Sequence, residues 1–278
     1  MKKPHFSFIL ILIILASGCI TQPQVIGGGL FVSLKPDPPT VFSSGIVAIN
    51  IDVDNKNPRT VTDIKADLFD TGILLGNACR LQMNFMRPEE FKSFSCTFRA
   101  PPKDTVLEDR IGTTVNARVE YTTDLPVVQV IEMMTEDEYT QRSQSGKFQP
   151  KPSSYAYKDK NVEILVEFSD NMPIVVRQEQ KDYFVYFTIK NIGNGFIKEF
   201  VYGDLILAPV KEGVPKIVDC PDLESPSWKL EPEGKEFPRI ACRLILPQGF
   251  SVVENYGLLI LLKYRYEVRE SADVTIIR

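Results

Sequence analysis

The chain repeats itself, and that repeat limits what it can fold into more than any other feature. Cys96-Thr97-Phe98-Arg99-Ala100-Pro101 is answered by Cys242-Arg243-Leu244-Ile245-Leu246-Pro247, each a Cys-x-x-x-x-Pro. Ile49-Asn50-Ile51-Asp52-Val53-Asp54-Asn55 is answered by Val185-Tyr186-Phe187-Thr188-Ile189-Lys190-Asn191, with apolar side chains in the same alternate places. Asp67-Leu68-Phe69 matches Asp204-Leu205-Ile206, Cys79 matches Cys220, and Val119-Glu120-Tyr121 matches Tyr264-Arg265-Tyr266. The proline turn Arg87-Pro88-Glu89-Glu90 matches Glu231-Pro232-Glu233-Gly234, whose proline and glycine suit a type I turn. The offset grows from 136 to 146 along the chain, as it does when loops lengthen while strands persist.

Within each copy the apolar residues alternate over short segments bounded by Pro, Gly, Asn and Asp, the texture of antiparallel β-structure. Strands are expected over Phe31–Lys35, Ile49–Val53, Ile64–Phe69 and Phe91–Phe98. A late strand is expected at Val115–Tyr121, which Val127–Ile131 extends or follows. The chain is therefore expected to be all-β, with β-domains over residues 30–131 and 161–278. Between them, Thr135-Glu136-Asp137-Glu138 fits a capping box opening a short helix that Gly146 stops. An extended segment around Pro150-Lys151-Pro152 follows, so residues 132–160 are expected to be a linker.

The first nineteen residues read differently. Lys2 and Lys3 give a positive start, Phe6–Ala16 is an almost unbroken apolar run, and Ser17-Gly18-Cys19 closes it. That order is the pattern of a secretory signal, and the cysteine at the cleavage point makes it look like a lipoprotein signal, with residues 1–18 expected to be removed and Cys19 to be lipidated. The apolar run is short for a membrane span, which needs about 20 residues. The competing reading is a plain signal peptide or uncleaved anchor with Cys19 incidental, and Ala16 stands where such signals usually carry leucine. Residues 19–29, ending in Gly27-Gly28-Gly29, read as a flexible tether. The chain is thus expected on the outer face of the cytoplasmic membrane.

A secreted chain with four further cysteines reads as disulfide-bonded. The repeat assigns the pairs within each copy: Cys79 with Cys96, and Cys220 with Cys242. Closing loops of this size stabilises by about 3 kcal/mol each in the chain-entropy model. The spacings contain no Cys-x-x-Cys, which argues against a metal set.

Charge and histidine narrow the function. The 32 basic and 36 acidic side chains give −4, and losing Lys2 and Lys3 with the leader gives −6, so nothing favours nucleic acid as a partner. The single histidine, His5, lies in the leader, so residues 19–278 hold no Ser-His-Asp site, His-ligated zinc or imidazole shuttle. No phosphate loop, nucleophile elbow or Asn-x-Ser/Thr sequon appears after it. The expectation is a protein that is not an enzyme, needs no cofactor, and has no catalytic or metal site.

Ile189-Lys190-Asn191-Ile192-Gly193-Asn194-Gly195 resembles the apolar-x-Asn-x-Gly entry of immunoglobulin-like modules. Leu230-Glu231-Pro232-Glu233-Gly234 and Pro247 resemble their later turn and strand end. The nearest type is the cell-adhesion-related (CARDB-like) domain of prokaryotic, above all archaeal, cell-surface lipoproteins. The first copy departs from it: Asn55-Lys56-Asn57-Pro58 lacks the glycine, and so does its turn. The resemblance implies two tandem immunoglobulin-like β-sandwiches, a structural or adhesive role, and no catalytic residues.

Three candidate binding features remain. Asp52, Asp54, Asn55 and Asn57 cluster hard oxygens as a calcium site would, but lack the glycine and distal glutamate of a calcium loop, and outward strand positions are polar anyway. Tyr155 and Tyr157, with Phe148, either stack on a ligand or sugar or pack on a neighbouring domain, and Trp228 either covers the end of a sandwich or stands exposed for a partner. Tyr256–Leu262 is apolar on both faces, as in a strand covered on both sides by another domain or subunit. The sequence thus points to a membrane-anchored structural, adhesion or binding module of the envelope, held to lipid by Cys19 and contacting a protein partner at the surface. The alternative is an accessory subunit of a membrane machine such as a transporter, secretion system or surface filament.

Overall fold

The structure, a computed structural model, describes residues 24–25, 29–146, 148–177, 182–210, 216–246 and 252–278. The leader, Cys19 and most of the tether lie outside the described residues. Strands are β1 (Gln24–Val25), β2 (Leu30–Asp37), β3 (Thr40–Phe42), β4 (Ile46–Asn55), β5 (Val61–Asp70), β6 (Arg80–Met86), β7 (Phe91–Arg99) and β8 (Arg110–Thr135). Helix α1 (Glu136–Gln144) follows. Then come β9 (Ser154–Lys158), β10 (Val162–Phe168), β11 (Ile174–Val176), β12 (Tyr183–Asn191), β13 (Phe196–Ile197), β14 (Phe200–Val201) and β15 (Leu205–Pro209). The last are β16 (Val218–Asp219), β17 (Lys229–Leu230), β18 (Ile240–Leu244) and β19 (Val253–Ile277). The fold is all-β, and among the described residues no helix is long and apolar enough to cross a membrane.

Two strands run the length of the molecule. β8 and β19 pair antiparallel without a break from Arg110↔Ile277 to Met134↔Val253. At about 3.3 Å per residue the ribbon is about 80 Å long. In the first half it belongs to a sheet with β5, β6 and β3, facing the sheet β2-β4-β7. In the second half the same ribbon carries β15 and β11 and faces the sheet β1-β9-β10-β12-β18-β16. Inward residues such as Val115, Ala117 and Val119, or Leu258, Ile260 and Leu262, are fully buried, and one apolar core runs through both halves.

The repeat is visible in the strand registers. Ile49 opposes Cys96 in the first half, and Val185 opposes Cys242 in the second. Leu68 opposes Ala117, and Leu205 opposes Leu262. At the end of β4, Asn55 Oδ1 accepts from the Asn57 amide at 3.0 Å, and Nδ2 donates to the Arg59 carbonyl at 3.1 Å. At the end of β12, Asn191 Oδ1 accepts from the Gly193 amide at 3.2 Å, and Nδ2 donates to the Gly195 carbonyl at 2.7 Å. These are the same side-chain-capped turn. The glycines of the second copy have a packing reason. A Cβ on Gly193 would collide with the Tyr266 hydroxyl, and one on Gly195 with the Glu267 carbonyl.

The ribbon obeys the same repeat about a two-fold axis. Adding 145 to a position on β8 gives its counterpart on β19. Tyr121 maps onto Tyr266, and these two residues are also paired with each other. They mark the axis. Each copy's last strand crosses it and completes the other copy's sheet.

This arrangement differs from the expected division of the chain at two points. The expected boundary at residue 131 falls inside β8, because Val127–Ile131 continues the strand begun at Arg110. The expected 132–160 linker is largely structured: it holds the end of β8, then α1, then β9, which is already part of the second half's sheet. Only the helix matches as read. Thr135 Oγ1 accepts from the Glu138 amide, Glu138 pairs with Arg142 one turn on, and Gly146 lies beyond the last turn with φ of 68°.

Candidate interaction surface

Both cysteine pairs are disulfides, Cys79–Cys96 and Cys220–Cys242, but they do different mechanical work. The Cys79 carbonyl accepts from Leu68 on β5, while Cys96 lies on β7, so the first bond ties the two facing sheets together. Cys220 directly follows β16, which pairs with β18, where Cys242 sits. The second bond therefore links neighbouring strands of one sheet.

The calcium reading meets different geometry. Asp52 is held by Lys35 at 2.7 Å and Ser93 at 2.6 Å, and these hydrogen bonds lower its carboxyl below the usual range. Asp54 pairs with Lys56. Asn55 turns inward to cap its turn, and Asn57 reaches Thr123 at 3.1 Å. The four side chains thus point to separate partners. Among the described residues no three His, Cys, Asp or Glu side chains converge as a metal set.

The aromatic candidates are also occupied. Tyr155 packs edge-on against Phe168, and Phe148 against Tyr139. The Tyr157 hydroxyl donates to Gln129 at 2.6 Å, and burial pushes it up to about 12. Trp228 packs partly buried against the core.

At the two-fold axis lies a buried polar network that sequence reasoning did not find. Asp159 accepts from the Tyr264 hydroxyl at 2.6 Å and from the amides of Asn161 and Val162 at 2.7 and 2.8 Å. Asn161 Nδ2 donates to the Tyr121 hydroxyl at 2.7 Å, and the Tyr266 hydroxyl accepts from the Gly195 amide at 2.8 Å. Burial raises the Asp159 carboxyl and holds the Tyr121 and Tyr264 hydroxyls far above their ordinary range. A network with every member bonded and almost wholly buried fixes the waist. Its only signal in the sequence was the Tyr-x-Tyr at 264–266.

The outer faces of the ribbon remain, and here the halves part. In the first half the outward residues are Thr114, Asn116, Arg118 and Glu120 on β8 and Arg269, Ser271, Asp273 and Thr275 on β19. Thr114 Oγ1 donates to Asp273 at 2.7 Å, and Arg118 pairs with Asp67 at 2.8 Å. A hollow of about 410 Å³ lies there, lined by Lys65, Asp67, Arg80, Gln82, Arg118 and Glu120. Beside it Glu267 is covered. Burial would raise its carboxyl, but Lys198 at 2.5 Å and Arg269 at 2.7 Å together bring it below the usual range.

In the second half five of these eight counterparts are apolar, while Arg118, Glu120 and Arg269 are answered by Lys263, Arg265 and Asp124. The 145-residue offset replaces Thr114 by Leu259, Asn116 by Leu261, Ser271 by Pro126, Asp273 by Val128 and Thr275 by Val130. Across the ladder Val128 opposes Leu259 and Pro126 opposes Leu261. Ile206 on β15 lies beside Leu261, and Val210 sits over Gly257, where a Cβ would come within 2.9 Å of it. The run Tyr256–Leu262 thus has one face in the core, through Leu258, Ile260 and Leu262, and one face turned outward. Compared with protein-family models and with curated proteins, the chain matches none.

Proposed function

We propose that the protein is a lipid-anchored, extracytoplasmic module of the cell envelope, built from two immunoglobulin-like sandwiches and working by structure and binding rather than catalysis. The observation that carries this reading is the pairing of a lipoprotein-type leader ending in Cys19 with two disulfides, bonds that persist in oxidising compartments. The chain after Cys19 offers no imidazole for acid–base work, and its carboxylate–tyrosine network is almost wholly buried. The continuous ribbon makes a stiff spacer, about 80 Å long, suited to holding a contact surface away from a membrane.

Intact mass of the protein extracted from membranes tests the anchor. A chain beginning at Cys19 and carrying diacyl or diether lipid is the expected result, since a single chain holds only weakly. An unmodified Cys19, or Cys19→Ser protein that stays on the membrane, would overturn it. The uncovered aliphatic face favours a second reading, an accessory subunit of a membrane machine. Crosslinking in cells with a tag after Arg278 separates the two: one stoichiometric membrane protein would establish the subunit role, and self-crosslinks alone the structural one.

A further inference from the structure

The sheet built on the ribbon has an open edge in the second half where the first half covers its own. Lys263 N donates to the Asp204 carbonyl at 2.7 Å, and Val210 N to the Gly257 carbonyl at 2.9 Å. Alternation between those bonds turns Ile206 and Ala208 toward β19 or past it in step, so that Ile206 and Ala208 bond to β19 while Leu205 and Leu207 turn their N–H and C=O groups away from it. Among the described residues β15 pairs with β19 alone. In the first half the counterpart of Leu205 is Leu68. Its amide donates to the Cys79 carbonyl at 3.2 Å, and from Arg80 the chain runs on along β5 as β6. In the second half the Cys220 carbonyl accepts from the Leu223 amide at 3.0 Å instead, because the chain makes a 3-10 turn at Pro221–Glu224. β17, which answers β6, pairs only with Phe200–Val201, and the Trp228 carbonyl beside it reaches no further than the Tyr202 amide. A cleft of about 200 Å³ lies beside the open edge. Leu205, Leu207, Val218 and Leu223 line it, and Lys216 pairs with Glu224 at its rim.

We propose that this edge takes up an extended segment of a partner protein, added as a strand to β15 with one aliphatic side chain seated in the cleft. The backbone itself chooses the occupant. Leu205 and Leu207 present donor–acceptor pairs two residues apart, about 7 Å, a spacing that an extended chain matches and a lipid tail does not. The first half shows the same edge covered in that way, by its own chain at Cys79 and β6. The cleft supplies the second determinant: its lining is aliphatic and its rim charges cancel, so it suits an uncharged aliphatic side chain. Length argues against a second copy as the occupant. The edge ends at Pro209, which has no N–H, and an edge this short resists pairing with its like. The inference adds a class of partner to the envelope role and stands whether or not Cys19 carries lipid.

The test is amide hydrogen exchange at Leu207 in the purified full chain, alone and with linear peptides selected against it from a phage-displayed library. The amide should exchange fast in the free protein and slow by about 10-fold or more when a selected peptide binds. The selected peptides should share an aliphatic residue within a run of strand-forming residues free of proline. Leu207→Pro removes one open N–H and leaves the ladder to β19 whole, as Pro209 already does, so this variant is expected to fold normally, checked by circular dichroism. It should weaken peptide binding by about 5- to 10-fold, as the loss of one hydrogen bond does. Leu223→Asp, which places a charge in the cleft, should weaken it by about 10-fold or more. A Leu207 amide that is already slow in the free protein at every concentration overturns the proposal, because the chain then covers its own edge. Slowing that grows with protein concentration overturns it in favour of a second copy. A selection that yields no peptide, or peptides that bind Leu207→Pro as well as wild type, overturns strand addition itself.

Discussion

The two halves share strand registers, capped turns and a ribbon, yet differ in two places. One has a polar outer face and a disulfide between its sheets. The other has an aliphatic outer face and a disulfide within one sheet. The shared features are those the backbone needs. The differing ones lie on surfaces that the fold tolerates either way, and there each copy took its own role. Duplication thus gives an internal control: whatever one half does without is not required for folding.

The strongest way to break the comparison is at its centre. Tyr121→Ala and Tyr266→Ala each remove a fully buried ring from the two-fold axis, and each should cost about 3–5 kcal/mol in chemical denaturation. Equal costs are expected; a difference above about 2 kcal/mol would mean that the axis is only geometric. Because each half needs the other's crossing strand, calorimetry should record one transition, and two separated transitions would refute the shared ribbon. Next come the disulfides. The closed loops span 17 and 22 residues, so chain entropy alone predicts losses of about 3 kcal/mol for Cys79→Ser/Cys96→Ser and for Cys220→Ser/Cys242→Ser. A larger loss for the first pair would measure what tying two sheets adds to tying two strands.

Alkaline pH sharpens the contacts between the copies. Tyr157 ionises near 10 when unfolded and near 12 when folded, so its contribution is whole below pH 10 and is lost as pH rises through 12. Within that window the slope should be about 1.4 kcal/mol per pH unit for this group, and steeper with Tyr121 and Tyr264 included. Tyr157→Phe should lower stability at pH 7 by about 1 kcal/mol and flatten the alkaline slope; an unchanged slope would show that its hydroxyl is not buried. Smallest is Thr135→Ala, which removes the cap of α1 and should cost about 1 kcal/mol with a small loss of helical signal.

Much of this was legible beforehand. The Cys-x-x-x-x-Pro repeat gave both disulfides, and alternation around Ile49 and Val185 gave the central strands of both facing sheets. The length of β8 was not legible, because Thr122-Thr123-Asp124-Leu125-Pro126 has the composition of a break. The strand survives it by position. Beyond Thr122 β8 keeps β19 on one side and, until β11, has no described strand on the other. There the Asp124 carbonyl is taken by Arg59 and the Val130 carbonyl by Gln129, so proline forfeits no ladder bond. The contacts of Tyr157 and Asn161 could not be foreseen, since their partners Gln129 and Tyr121 lie in the other copy.

The unbroken pairing of β8 with β19 also bears on how the molecule carries load. β1 runs beside β9 toward the waist, so the chain enters from the far end of the second half, while Arg278 emerges at the opposite tip of the first. Tension between those ends acts along the strands and shears the rungs of the ladder together. Opening them one at a time would need a pull across the ribbon. A protein tethered by one terminus and tugged by the other would therefore behave as a strap, stiff along its length and yielding only when many rungs fail at once.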